Sequence, residues 1–277
     1  MNKRILAITT GILVAVAAIV YAATTTITVK GSDTMVILSQ RWAEDYMAKN
    51  PAVSIQVTGG GSGTGISALI NGATDICNAS RPMKSSEREK LKQRYQSLGV
   101  EIKTAIDGVT LYVNEKNPIK ELTLDQIKAI YTGTITNWKQ VGGPDMKIIL
   151  YGRENSSGTY VYFRDEVLSG QDYAQTMQSM PGTAAVVNAV SRDQYGIGYG
   201  GAAYAQGVSF VAVKKDVSSA AYEPTAENIK NGSYPVSRYL YMYVRNRPSG
   251  EMKKFIDWIL SDEGQSVVTK VGYFPIR

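Results

Sequence analysis

Three times along this chain a short β-forming run passes through a turn rich in glycine, serine and threonine into a helical stretch, and this recurrence limits the fold more than any other feature. The first unit is Ile27-Thr28-Val29-Lys30, then Gly31-Ser32-Asp33-Thr34, then a helix with Met35, Leu38, Trp42 and Tyr46 on one face, ended by Asn50-Pro51. The second is Val53 to Val57, then Gly59 to Gly65, then a helix carrying Ile66, Leu69 and Ile70. The third is Lys147 to Tyr151, then Gly152-Arg153-Glu154-Asn155-Ser156-Ser157-Gly158-Thr159, then a helix through Tyr160, Phe163 and Val167. Strands alternating with helices define an α/β protein. Further segments complete the layout. Pro82 to Leu98 reads as a charged helix, Ala105 to Asn114 as a strand, and Leu124 to Tyr131 as a helix opened by a Thr123–Gln126 capping box. Tyr195 to Tyr204 reads as strand and turn, Tyr239 to Val244 as a strand, and Glu251 to Lys270 as one closing amphipathic helix with Phe255, Ile259 and Val267 facing inward.

The turns carry the chemistry. A tetrahedral oxyanion needs converging hydrogen-bond donors and little else. Helix starts expose unpaired N–H groups with partial positive charge. Glycine lets the backbone come close, serine and threonine add compact donors, and arginine adds a planar charged fork. Ser32 and Thr34, then Ser62, Gly63 and Thr64, then Arg153, Ser157, Gly158 and Thr159 supply these parts. One such turn alone is an ordinary N-cap; three, one of them carrying arginine, point to an anion site.

Other readings of the glycine loops fail. Gly65 is followed by Ile66, not by the Lys-Ser/Thr of a nucleotide loop, and neither Gly59 nor Gly61 starts the dinucleotide spacing. The chain has no histidine and one cysteine, Cys77, which removes histidine triads, the usual zinc sites and any intrachain disulfide. No catalytic residue, metal or cofactor is therefore expected. The formal charge of +6 comes without a basic run interleaved with aromatics, so nucleic acid is not the expected partner. Cys77 and Trp138 read as core residues, and the tyrosines between Tyr195 and Tyr243 read as packing. At the N-terminus, Lys3 and Arg4 precede an apolar stretch from Ile5 to Ile19 and a small-x-small site near Ala22. This pattern is that of an export signal over residues 1–23, with an uncleaved membrane anchor as the alternative.

Taken together, the motifs resemble the phosphate-binding proteins of bacterial ABC-type uptake systems. The resemblance spans essentially the whole chain after residue 23. Gly31-Ser32-Asp33-Thr34, Gly61 to Gly65, Asp75 through Ala79-Ser80-Arg81, Asp107-Gly108, Ile130-Tyr131-Thr132-Gly133 through Asn137-Trp138 to Gly142-Gly143, Arg153 through Thr159 and Ile197-Gly198-Tyr199 carry it. It implies a two-lobed periplasmic-binding-protein fold of type II, with two mixed-sheet lobes joined by a hinge. Lobe one would comprise 24–107 plus 237–277, and lobe two 108–236. It also implies a monomeric, periplasmic, non-enzymatic protein that holds phosphate in the cleft and delivers it to membrane permease components. The implied contacts are Ser62, Arg153, Ser157, Gly158 and Thr159, followed by Ser32 and Thr34. Another oxyanion such as sulfate or molybdate, or a secreted phosphohydrolase on the same scaffold, is the alternative. One departure stands out: many relatives carry aspartate where this chain has Arg81, to accept the hydrogen of protonated phosphate. Asp33 is expected to do that work, or to pair with an Arg81 that touches the anion, or merely to cap its own helix.

Overall fold

The computed structural model describes residues 24–277; the expected export signal lies outside the described residues. In chain order the elements are β1 (Thr25–Gly31), α1 (Val36–Lys49), β2 (Val53–Thr58), α2 (Ser62–Asn71), β3 (Ile76–Ala79), α3 (Ser85–Tyr95) and β4 (Val100–Val113). Then come β5 (Glu121–Thr123), α4 (Leu124–Tyr131), β6 (Ile149–Arg153), α5 (Gly158–Tyr162), β7 (Gln178–Met180), α6 (Thr183–Arg192), β8 (Gly196–Gly201) and β9 (Ser209–Lys214). The chain closes with α7 (Ala226–Lys230), β10 (Ser237–Val244), α8 (Gly250–Ile259) and α9 (Asp262–Val271).

The strands form one mixed sheet in the order β2-β1-β3-β10-β4-β8-β6-β7, with β9 also pairing β4 and β5 pairing β9. Strand β4 joins the two ends. Its first part pairs antiparallel with β10, from Val100 opposite Val244 to Gly108 opposite Ser237. Its last part, Val109 to Val113, pairs with β8, and Leu111 to Val113 also lie against β9. The flanking strands are parallel, β1 with β2 and β3 on one side and β6 with β7 and β8 on the other. Parallel pairs need helical crossovers, and these cover the sheet faces.

The apolar residues divide at the same point of β4. One core gathers Ile27, Leu38, Trp42, Ile76, Ala105, Leu240 and Phe255. The other gathers Val109, Leu111, Ile130, Trp138, Phe163, Tyr199 and Val236. Smaller clusters flank them, with Cys77 in one and Tyr112 in the other. Opposite the Leu240–Tyr241 step, β4 holds an extra residue, Thr104. Its hydroxyl donates to the Leu240 carbonyl at 3.2 Å, and its own carbonyl accepts from Gln265 Nε2 at 3.0 Å, so the buried bulge keeps its polar groups paired.

Local sequence rules account for many boundaries. Thr123 accepts from the Gln126 N–H at 3.1 Å, and the Gln126 side chain accepts from the Thr123 N–H at 2.9 Å, closing the capping box as expected. Trp138 and Cys77 are fully buried. The single closing helix is instead two helices. Ser261 caps α9, and Gly264 packs so closely that a Cβ there would lie 2.3 Å from the Trp258 carbonyl oxygen. The third unit also differs: α5 is one short helix that passes into a π turn at Phe163–Val167.

Candidate functional site

The three turns follow the ends of strands that run towards each other, β1 and β2 along the direction of β4 and β6 against it, so the turns meet near the middle of β4 and bring residues far apart in sequence together. Gly31 makes the first turn feasible. Its φ is +145°, and a Cβ there would lie 2.1 Å from the Asn78 carbonyl oxygen. The Ser32 N–H then donates to that same oxygen at 2.9 Å.

Arg153, at the end of β6, is the charged centre and is 1% exposed. Its Nη2 donates to Asp33 Oδ2 at 2.7 Å and its Nη1 to Thr183 Oγ1 at 2.7 Å. Its Nε is buried without a partner. A guanidinium carries five N–H donors, so these two bonds leave most of its donor capacity unused. Asp33 Oδ1 accepts from the Gly60 N–H at 2.8 Å. Asp33 therefore ties two turns together; it neither caps its own helix nor pairs with Arg81. Arg81 is committed elsewhere. Nη1 and Nη2 reach Glu87 Oε2 and Oε1 at 2.8 and 2.6 Å, and Nη1 also reaches the Pro82 carbonyl at 2.9 Å. Burial would raise the Glu87 carboxyl, but the Arg81 and Lys84 bonds outweigh it and hold that group below its ordinary value.

The hydroxyls of the turns are fixed by contacts of their own. Ser157 Oγ caps α5, accepting from the N–H groups of Thr159 and Tyr160 at 3.2 and 3.3 Å. Ser62 Oγ accepts from the Ser80 N–H at 3.0 Å and lies 3.3 Å from Ser80 Oγ. Thr34 Oγ1 and Thr159 Oγ1 are 2.9 Å apart. Ser32, Thr34, Ser62, Ser157 and Thr159 are all at most 2% exposed. Ser62 and Ser157 share one design: each oxygen receives fixed N–H donors, which leaves its own hydrogen free to donate. Gly158 lets the turns meet, since a Cβ there would lie 2.3 Å from Ser62 Oγ and 2.6 Å from Ser80 Oγ. The Gly63 N–H donates to the Ser156 carbonyl at 2.9 Å. Gly63 and Thr64 are partly exposed.

Several neighbours had no clear local signature in the sequence. Thr183 opens α6, and Tyr204 donates to the Asp33 carbonyl at 2.6 Å. Burial pushes the Tyr204 phenol up to about 12, so it stays a neutral donor at physiological pH. Tyr273 donates to the Thr34 carbonyl. Arg238 donates to Asp107 and to Thr159. Its only sequence trace is a cation placed immediately before the aromatic-rich stretch Tyr239 to Val244.

A buried arginine with unused donors, in turns that also present serine hydroxyls whose oxygens already accept, is a receptor for an oxyanion, and nothing in it resembles a nucleophile–base pair. Comparison with known proteins agrees with this class. The family profile of the PBP superfamily domain matches residues 18–263. The phosphate-binding protein PstS of Pseudomonas aeruginosa is 37% identical over 263 residues, covering 89% of this chain and 81% of the relative. A protein of Clostridium perfringens, assigned as a phosphate ABC transporter substrate-binding protein and solved with bound phosphate, is 34% identical with a TM-score of 0.83. That match covers 91% of this chain and 100% of the other. An ABC-type phosphate transport receptor from Vibrio cholerae is 30% identical with a TM-score of 0.72, covering 90% of this chain and 99% of the other. The chain belongs to the PBP superfamily and, within it, to the family of the phosphate-binding proteins PstS.

Proposed function

We propose that this protein captures inorganic phosphate outside the cytoplasmic membrane and delivers it to the permease components of an ABC transporter. The observation that carries the reading is Arg153, a fully buried cation with unused donors, tied to the first turn through Asp33. The relatives bear names of this function. No helix among the described residues is long and apolar enough to cross a membrane. The residues holding the ligand are Ser32, Asp33, Thr34, Ser62, Gly63, Thr64, Arg153, Ser157, Gly158 and Thr159, with Arg81 bracing the loop after β3.

Residues 24–107 with 237–277 act as one lobe and residues 108–236 as the other. The division of the two cores at β4 supports this. Contacts between the lobes at the site are polar: Asp33 with Arg153, Thr34 with Thr159, Gly63 with Ser156. Polar contacts can exchange for water as the cleft opens, which suits a reversible hinge. The chemistry is binding; the ligand leaves unchanged.

A second reading is an oxyanion without a hydrogen, such as sulfate. It is favoured by Asp33, both of whose carboxylate oxygens are already engaged by donors. Calorimetry on the purified protein, stripped of anion by unfolding and refolding, separates the two. One-to-one phosphate binding that is lost in Arg153→Ala and absent for sulfate and molybdate is expected. Binding of sulfate in preference to phosphate would move the function to the second reading, and silence toward all three anions would refute both.

A further inference from the structure

Asp107 and Arg238 face each other in register on β4 and β10, at the point where β4 passes from one core to the other. Both are buried, with side chains 0% and 4% exposed. Asp107 Oδ2 accepts from Arg238 Nε at 3.1 Å and from Nη2 at 2.8 Å. Gly201 makes room for the carboxylate, since a Cβ there would lie 2.7 Å from Asp107 Oδ1. The guanidinium also lies over the Tyr162 ring, 5.1 Å from its centroid. Such a pair is costly to desolvate, and structural stability alone is a weak reason to keep it.

Its other contact suggests what it does. Arg238 Nη2 also donates to Thr159 Oγ1 at 2.9 Å. We infer that Arg238, held by Asp107, is a positioning residue that fixes the direction in which the Thr159 and Thr34 hydroxyls donate, so that this side of the site presents donors to an oxyanion. This rests on the phosphate-binding reading above. A guanidinium has no acceptor, so the Thr159 oxygen must receive its hydrogen bond. The single hydrogen on Thr159 is then left for Thr34 Oγ1 or for the ligand. When it goes to Thr34, 2.9 Å away, Thr34 in turn keeps its hydrogen for the ligand. Ser157 and Ser62 are polarised in the same sense by backbone N–H groups. Among the described residues, Thr159 Oγ1 receives no backbone N–H; the arginine supplies what the backbone does not. Without it, a hydroxyl could turn a lone pair toward the anion, which repels it.

The test is a cycle of variants read by phosphate calorimetry, with thermal unfolding of the phosphate-free protein as a separate measure of folding. Asp107→Asn combined with Arg238→Gln keeps a neutral hydrogen-bonded pair but lets the amide either donate or accept. Phosphate affinity should fall about 10- to 150-fold, the range for a hydrogen bond to a charged group. In a Thr159→Val background the same pair of changes should cost less than about threefold, because the hydroxyl it orients is gone. Should the neutral pair fail to fold, Arg238→Lys carries the test: a donor-only cation in the same place should retain most of the affinity, whereas Arg238→Met should not. Wild-type affinity in the neutral pair or in Arg238→Met, or losses that multiply in full with Thr159→Val, would overturn the inference while leaving phosphate binding intact. Failure of the wild-type protein to bind phosphate would overturn the function itself and this inference with it.

Discussion

Gly158→Ala tests whether the turns meet as the structure has them when ligand is held. The Gly158 backbone is not in the left-handed region, so alanine adds no backbone strain, and at the start of a helix it favours folding by up to about 1 kcal/mol. Against this, the new methyl would lie 2.3 Å from Ser62 Oγ, 2.6 Å from Ser80 Oγ and 3.0 Å from Ser62 Cβ. Both serines are fully buried. Ser62 cannot swing away without giving up the bond from the Ser80 N–H. Overpacking of this kind costs about 1–3 kcal/mol, and the strained hydrogen bond adds about 1 kcal/mol. In the two-lobe arrangement proposed above, Gly158 lies across the cleft from the two serines, so the clash arises only on closure. Phosphate affinity should therefore fall about 30- to 900-fold, while the melting temperature of the phosphate-free protein stays level or rises slightly. Calorimetry gives the first quantity and thermal unfolding without ligand the second. An unchanged affinity would show that these loops stand apart in the bound state and would refute the packing on which the site rests.

Two further perturbations address charge. Asp33→Asn keeps an acceptor for the Gly60 N–H but removes the negative partner of Arg153. If Asp33 also accepts the hydrogen of protonated phosphate, selectivity over sulfate should collapse, and a competition titration that finds it intact would assign discrimination elsewhere. Glu87 is held below its ordinary value of 4.5 in the folded protein. Its contribution to stability is present above that value and is lost as the pH falls through the lower folded one. Acid unfolding of Glu87→Gln should accordingly show a flatter decline below about pH 4.5 than wild type, together with lower stability at neutral pH because Arg81 loses its ionic partner. Parallel stability–pH curves for the two proteins would refute this.

The Asp33–Arg153 bond shows how the site divides its labour. Arg153 is buried enough that its charge needs an answering one, yet Asp33 is 17% exposed at its side chain, at the rim. It also bridges residues 120 positions apart. Under the two-lobe closure proposed above, such a contact adds to the affinity of the closed state without rigidifying the open one.

What the sequence settled by itself is the local grammar. Alternating strands and amphipathic helices, the Thr123 capping box and the burial of Trp138, Phe255, Ile259 and Val267 follow from periodicity and side-chain chemistry over a few residues. The donor-rich character of the three turns is equally local, and Arg153 and Ser157 could be read from it. Tertiary structure decided the partnerships. Whether Asp33 would meet Arg81, its own helix or Arg153 depends on how two distant turns face each other, and no spacing in the chain encodes that. The break between α8 and α9 depends on Gly264 packing against carbonyls of the preceding helix. The role of Arg238 arises only because β4 and β10 set it opposite Asp107 and within reach of Thr159. A sequence pattern reports what a residue can do within a turn or two of its own backbone; long-range pairing selects which of those capacities is used, because hydrogen bonds and buried charges are decided by neighbours in space.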